Sequence, residues 1–162
     1  MAVHKLYIED FEEEDYHLIA IHTSLEDYRL AYFLNREIET RLYKSDCDIQ
    51  TQVKYGKTSF ARFTYEDNEN IIRWNLVQNK NEVEGSGNGI ITDLFSNSNT
   101  SFSSLAYLLP EYKKVDFFLK IENAESGIDI YKIVSKINNI DGITMVYAVD
   151  KNKIKSKNNL IF

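Results

Sequence analysis

Three histidines, His4, His17 and His22, one cysteine, Cys47, and the acids Glu9, Asp10, Glu12, Glu13, Glu14 and Asp15 are the first residues whose types suit metal or nucleophilic chemistry. Their spacing argues against it. His17 and His22 lie five apart in a strand-like run, so they point to opposite faces, and no cysteine or third histidine stands nearby to complete a metal clamp. Cys47 sits between Asp46 and Asp48, whose negative charge opposes a nucleophilic thiolate, and a lone cysteine makes neither an internal disulfide nor a thiolate cluster. The acidic run lacks the loop glycine and terminal glutamate of a calcium loop and reads as a solvated, self-repelling connector. Glu84-Gly85-Ser86-Gly87-Asn88-Gly89 is GxGxG, with neither the GxGxxG fingerprint nor a phosphate-loop Lys-Ser/Thr, and reads as a flexible turn. No metal and no cofactor are expected from these residues.

Two carboxylates remain, Glu111 and Asp116, in the segment Leu109-Pro110-Glu111-Tyr112-Lys113-Lys114-Val115-Asp116-Phe117. Pro110 lacks a donor and restricts Leu109 to an extended conformation, so it punctuates the approach to a strand. Glu111 and Asp116 then flank a turn. Three roles are open to them: accepting backbone N–H bonds, pairing with Lys113 and Lys114, or working as general acid and base. The last needs two carboxyls facing each other across a pocket with their pKa values driven apart, which five residues of loop and strand do not establish.

The same segment resembles the signature of the IPExxxVDY family, small bacterial proteins without an assigned activity. Pro110, Glu111, Val115 and Asp116 match the signature, while Leu109 stands for its isoleucine and Phe117 for its tyrosine. Phe117 therefore cannot play a tyrosine hydroxyl's part. The opening from His4 to Asn35 is also similar to the family's beginning, and the resemblance implies a relationship over most of residues 1–150.

Positioning these residues requires a strand from Tyr16 to Thr23 and a helix from Ser24 to Ile38, with Thr23 and Glu26 at capping-box spacing. Leu25, Tyr28, Ala31, Tyr32 and Asn35 form one stripe, widened by Leu30, Phe33, Leu34 and Ile38, which predicts a sandwiched or interface helix. Gly56-Lys57 suggests a hairpin turn pairing Tyr55 with Thr58, Val53 with Phe60 and Thr51 with Arg62. That register leaves Ala61, Phe63 and Tyr65 on a mixed face, so a bulge or coverage by another element is expected, with exposure for a partner as the alternative. Ile72, Trp74 and Leu76 alternate as a strand with one buried face. From Asn79 to Ser104 the composition turns to Asn, Ser, Gly and Thr around an apolar island, the mark of a functional or mobile loop. Val115 to Ile121 alternates as a strand, Ser126 begins a helix to Asn139, Gly142 ends it, and Thr144 to Val149 is a last strand. Strand, helix and strand over about 35 residues predict a βαβ unit whose outer strands are parallel neighbours or separated by one strand.

The fold class expected is α+β: a mainly antiparallel sheet of about six strands with two main helices packed on it, in one domain over residues 1–150, followed by a basic, flexible tail over 151–162. The charge is uneven. Residues 1–50 carry 5 basic and 12 acidic residues (−7), residues 51–100 carry 5 and 6 (−1), and residues 101–162 carry 9 and 7 (+2), giving −6 and a pI near 5.1. Leu6-Tyr7-Ile8 and Phe60-Ala61-Arg62-Phe63 are similar to the aromatic strands of an RNA-recognition module. The motif's basic and glycine positions are missing, however, and the net charge opposes phosphate binding, so only Lys151, Lys153, Lys155 and Lys157 could supply contacts. No apolar run approaches the roughly 18–20 residues of a membrane span, and Ile8 is followed at once by acids, so a cytoplasmic protein is expected. These features point to a non-enzymatic protein-interaction or regulatory domain with an unknown protein partner or self-association. The alternative is a small-molecule-binding protein or small enzyme with its pocket under the 79–104 loop and the Pro110–Phe117 segment.

Overall fold

A computed structural model describes residues 15–53, 56–83, 104–124 and 127–162. Ten strands and two α-helices follow in the order β1 (Tyr16–Thr23), α1 (Asp27–Ile38), β2 (Tyr43–Lys44), β3 (Ile49–Val53), β4 (Gly56–Phe60), β5 (Arg62–Asp67), β6 (Ile72–Gln78), β7 (Lys80–Glu82), β8 (Leu105–Tyr107), β9 (Phe117–Glu122), α2 (Ile130–Asn138) and β10 (Ile143–Ala148). Six strands form one sheet in the order β10-β1-β9-β6-β5-β2, with every neighbouring pair antiparallel. The fold is thus α+β. Strands β9 and β10 both run antiparallel to β1, so they are parallel to each other with β1 between them and α2 as the crossover, as the βαβ pattern requires.

Alternation decides which core each residue enters. On one face Ile19, Ile21, Phe63, Trp74, Leu76, Phe117, Leu119 and Ile121 pack beneath Leu30, Ala31 and Leu34 of α1 and Ile137 of α2. On the other, Leu18, Ala20, Val77 and Phe118 meet Phe60, Leu108, Leu109, Val115, Ile154 and Leu160. Covered on both sides, β9 is buried at all six positions. Phe60 and Phe63 fall in different cores because the chain breaks from the β3–β4 ribbon into the main sheet at Ala61, the irregularity that the mixed face required.

Four expectations need correction. The hairpin register is Val53 with Gly56, Thr51 with Thr58 and Ile49 with Phe60, so Gly56 opens β4 as a strand residue, and Lys54 and Tyr55 lie outside the described residues. The slip is even, which keeps Ile49, Thr51 and Val53 on the face of Phe60. The Thr23 capping box does not form, because the Thr23 hydroxyl accepts from Leu25 N–H (3.0 Å) and donates to the Gly142 carbonyl (2.7 Å), and α1 starts at Asp27 after Glu26. Gly142 is held at φ +92°, and a Cβ there would come within 2.9 Å of Leu25. Helix α2 is capped by Asp129, whose carboxylate accepts from Lys132 N–H (3.1 Å); Ser126 lies outside the described residues. Finally, residues 151–162 are not a loose tail: two 3-10 turns, Lys151–Lys153 and Lys157–Leu160, carry Ile154 and Leu160 into the second core, 4% and 2% exposed.

Candidate functional site

The Leu109–Phe117 segment is organised by a residue that sequence reasoning placed in a loop. Asn79, between β6 and β7, is wholly buried. Its side-chain amide donates to the carbonyls of Tyr112 and Val115, both at 2.9 Å, and its side-chain oxygen accepts from Leu109 N–H at 2.9 Å. Its backbone N–H donates to the Asp116 carbonyl and its own carbonyl accepts from Leu108 N–H. One asparagine thereby satisfies both ends of a turn that leaves the sheet ladder. Pro110 opens a 3-10 turn at Pro110–Tyr112, where its missing N–H leaves nothing unpaired. Leu109 and Val115 go into the core, and Phe117 begins β9.

Glu111 points to the C-terminal segment. Its carboxylate accepts from Lys155 N–H (2.7 Å), Ser156 N–H (2.9 Å) and the Ser156 hydroxyl (3.0 Å). Partial burial alone would raise this carboxyl. The N–H groups of Ser156, of Glu111 itself and of Lys155, with the Ser156 hydroxyl, outweigh that and hold it below the usual glutamate range. Asp116 instead accepts from Thr23 N–H (2.9 Å) on one oxygen and from Lys80 Nζ (2.7 Å) on the other, tying β9 to the chain ahead of α1 and to β7. The two carboxylates share no partner, and neither pairs with Lys113 or Lys114.

Asp116 and Lys80 line a surface pocket of about 380 Å³ together with Thr23, Glu26, Asp27 and Gln78. A larger concavity of about 550 Å³ lies on the β3–β4 ribbon among Gln50, Gln52, Lys57 and Ser59, with Lys57 as the one titratable group that lines it among the described residues. The first is the chemically richer. Both Asp116 oxygens are already engaged, so within the pocket Asp116 and Lys80 act as a charged pair, beside the further carboxylates of Glu26 and Asp27.

A second polar group, also missed from sequence, lies on the non-helical face of the sheet. Lys120 is 1% exposed; its Nζ meets Glu122 Oε1 at 2.5 Å and the Leu160 carbonyl at 2.9 Å and lies over the Tyr16 and Phe162 rings at 5.1 and 5.2 Å. Glu122 also accepts from buried Asn75 (3.2 Å), which in turn accepts from Arg62 Nε (3.0 Å). Phe162 is clasped between Arg62, 4.9 Å away, and Lys120. The signal in the sequence was the polar set Arg62, Asn75, Lys120 and Glu122, one in every second place of paired strands.

The remaining candidates separate. His17 stands opposite Ile121 on the helix-covered face and His22 beside Met145 on the other. Cys47 is exposed and unpaired. No group of three or more His, Cys, Asp or Glu side chains that could hold a metal is found among the described residues. Phe60 and Phe63 are 0% and 7% exposed, so neither ring is available to stack a base. Leu6–Ile8, the run Glu9–Glu14 and the glycine stretch 84–89 lie outside the described residues. The segment expected as a loop over 79–104 begins with a strand, since Lys80–Glu82 pairs with Leu105–Tyr107, just beyond its end, as the β7–β8 ribbon. Among the described residues, no helix is long and apolar enough to cross a membrane. No protein-family model, curated protein or solved structure matches the chain.

Proposed function

We propose that the chain is a non-enzymatic protein-interaction or regulatory domain of the cytoplasm. The observation that carries this reading is the aromatic outer side of the helical layer. Tyr28 and Tyr32, one turn apart on α1, are 60% and 63% exposed, and Tyr131 on α2 is 86% exposed. Exposed tyrosines bring large, stiff, amphipathic contact area and are enriched in binding patches. Arg36, stacked over Phe33 at 5.1 Å, adds a second side chain of the kind that anchors partners. The polar residues buried on the opposite face of the sheet are occupied in holding the fold. The resemblance to the IPExxxVDY signature fits this reading, because Pro110, Glu111, Val115 and Asp116 each serve the turn and its attachments.

The test is affinity capture from the native cell with the wild-type chain and with a Tyr28→Ala, Tyr32→Ala double variant. A partner recovered in stoichiometric amount by the first and lost by the second is expected. Equal recovery by both, or none by either, refutes the reading. The Asp116–Lys80 pocket favours a second reading, a binding site for a small charged molecule. A thermal-shift screen against metabolites in which Asp116→Asn removes a compound's effect supports it, and a screen without any shift removes it.

A further inference from the structure

We propose that the domain pairs with a second copy of itself through the edge of β10, antiparallel and centred on Val146. This names a partner for the interaction reading and rests on it. Strand β10 ends the six-stranded sheet and, among the described residues, pairs only with β1. Its sequence, Ile143-Thr144-Met145-Val146-Tyr147-Ala148, has no charge, proline or glycine, the features that usually blunt an edge. The opposite edge, β2, is two residues long and carries Lys44.

The direction of the free backbone groups fixes the register. Val149 N–H donates inward to the Leu18 carbonyl at 2.8 Å. By alternation, Tyr147 and Met145 also turn their N–H and C=O groups toward β1, while Val146 and Ala148 turn theirs outward. The irregularity opposite Thr23 confines the regular stretch to Met145–Ala148. An antiparallel partner must place outward-facing residues opposite one another, and a two-fold axis through Val146 does so with identical strands. It also sets Met145 across from Tyr147 of the second copy in a non-hydrogen-bonded pair, with Cα atoms about 4.5 Å apart. Met145 is 54% exposed and Tyr147 half-buried, so each covers the other with a thioether–aromatic contact.

Charge selects the same orientation. Asp141 precedes the strand, whereas Lys151, Lys153, Lys155 and Lys157 outnumber Asp150 after it, even with Lys151 set 3.5 Å from Asp15. Antiparallel pairing joins unlike ends and parallel pairing joins like ends.

The experiment is sedimentation of the full chain over a wide concentration range. A monomer–dimer equilibrium is expected, and Met145→Lys, which sets two lysines beside the axis, raises the dissociation constant at least tenfold while leaving the monomer's melting temperature unchanged. In a Cys47→Ser background, Met145→Cys gives a covalent dimer with a short bis-maleimide, and Tyr43→Cys on the opposite edge does not. Three results overturn the proposal: a monomer at every concentration, a dimer indifferent to Met145→Lys, or a dimer that appears only after residues 1–14 are removed, which would make the chain's own N-terminal segment the occupant of the edge. A monomer that still captures a partner through Tyr28 and Tyr32 would refute edge pairing and leave the interaction reading standing.

Discussion

Asn79→Ala isolates the residue on which the Leu109–Phe117 turn depends. The substitution removes three side-chain hydrogen bonds and leaves the two backbone bonds of residue 79 in place. Each lost bond is worth about 1 kcal/mol net, so the floor of the effect is about 3 kcal/mol. The Leu109 N–H and the Val115 carbonyl are then left without partners, while the Tyr112 carbonyl keeps the Val115 N–H (3.0 Å), and Leu109 and Val115 are 0% and 1% exposed. An orphaned buried group costs about 1–3 kcal/mol, and water entering the vacated amide volume recovers part of that, so the expected loss is about 3–5 kcal/mol. For a domain of this size that corresponds to a fall of about 10 °C in Tm. Urea unfolding monitored by Trp74 fluorescence gives the number, with Asn81→Ala as the control because Asn81 donates one bond, to the Ser59 carbonyl. Asn79→Asp should do at least as much damage at neutral pH, since a carboxylate oxygen would then face two carbonyl oxygens. A loss below about 1 kcal/mol for Asn79→Ala, equal to that of Asn81→Ala, would refute the assignment of Asn79 as the organiser of the turn.

Glu111→Gln keeps the shape of the C-terminal latch without its charge, and a loss of about 1 kcal/mol is expected after solvent screening, together with faster proteolysis within residues 151–162. Because the folded Glu111 carboxyl lies below its ordinary value, its contribution is present above about pH 4.3 and is lost as pH falls through the folded value. The wild-type chain should therefore lose stability in that acid range more steeply than the variant, and parallel curves would contradict this. Lys120→Met takes from Glu122 the nearer of its two cations, leaving Arg73 at 3.8 Å, and should cost about 3 kcal/mol, whereas Lys120→Met with Glu122→Leu should cost less than the single change; urea titration of all three variants decides, and additive losses would disprove the coupling. Ile71 is β-branched at φ +60° and 75% exposed, so Ile71→Gly should raise stability by about 1 kcal/mol by relieving strain, and a lower Tm would show the strain is absent.

The elements governed by short-range patterns were legible in the sequence. Ile72, Trp74 and Leu76 share a face, the β9–α2–β10 unit follows from its spacing, and the need for a break between Phe60 and Phe63 follows from two aromatic residues that one strand cannot bury together. What failed depended on competition from distant residues. Thr23 has the spacing of a cap, but Gly142, more than a hundred residues away, takes its hydroxyl. The lysine-rich end reads as solvated because its charges dominate the composition; its attachment rests on backbone N–H groups and two aliphatic side chains, which composition does not distinguish. Asn79 carried no local signal at all, since an asparagine before a polar stretch is the ordinary start of a loop. The residues from Leu109 to Phe117 stand out in the sequence as one segment, while their separate partners, the C-terminal segment for Glu111 and the α1 approach for Asp116, exist only in three dimensions.

Those partners bear on where function resides. An acid–base pair needs two carboxyls sharing one pocket and at least one oxygen free to take a proton. Glu111 spends its oxygens on three donors from residues 155–156, and Asp116 spends its two on Thr23 and Lys80. Substitution at either position should therefore change stability before it changes any activity, and a phenotype produced there says nothing about chemistry until folding has been measured. Side chains with little part in the core include Tyr28, Tyr32 and Tyr131 on the helices and Met145 on the edge strand, all more than half exposed. Variants at these positions leave the core intact, so they are the ones able to separate a defect in binding from a defect in folding.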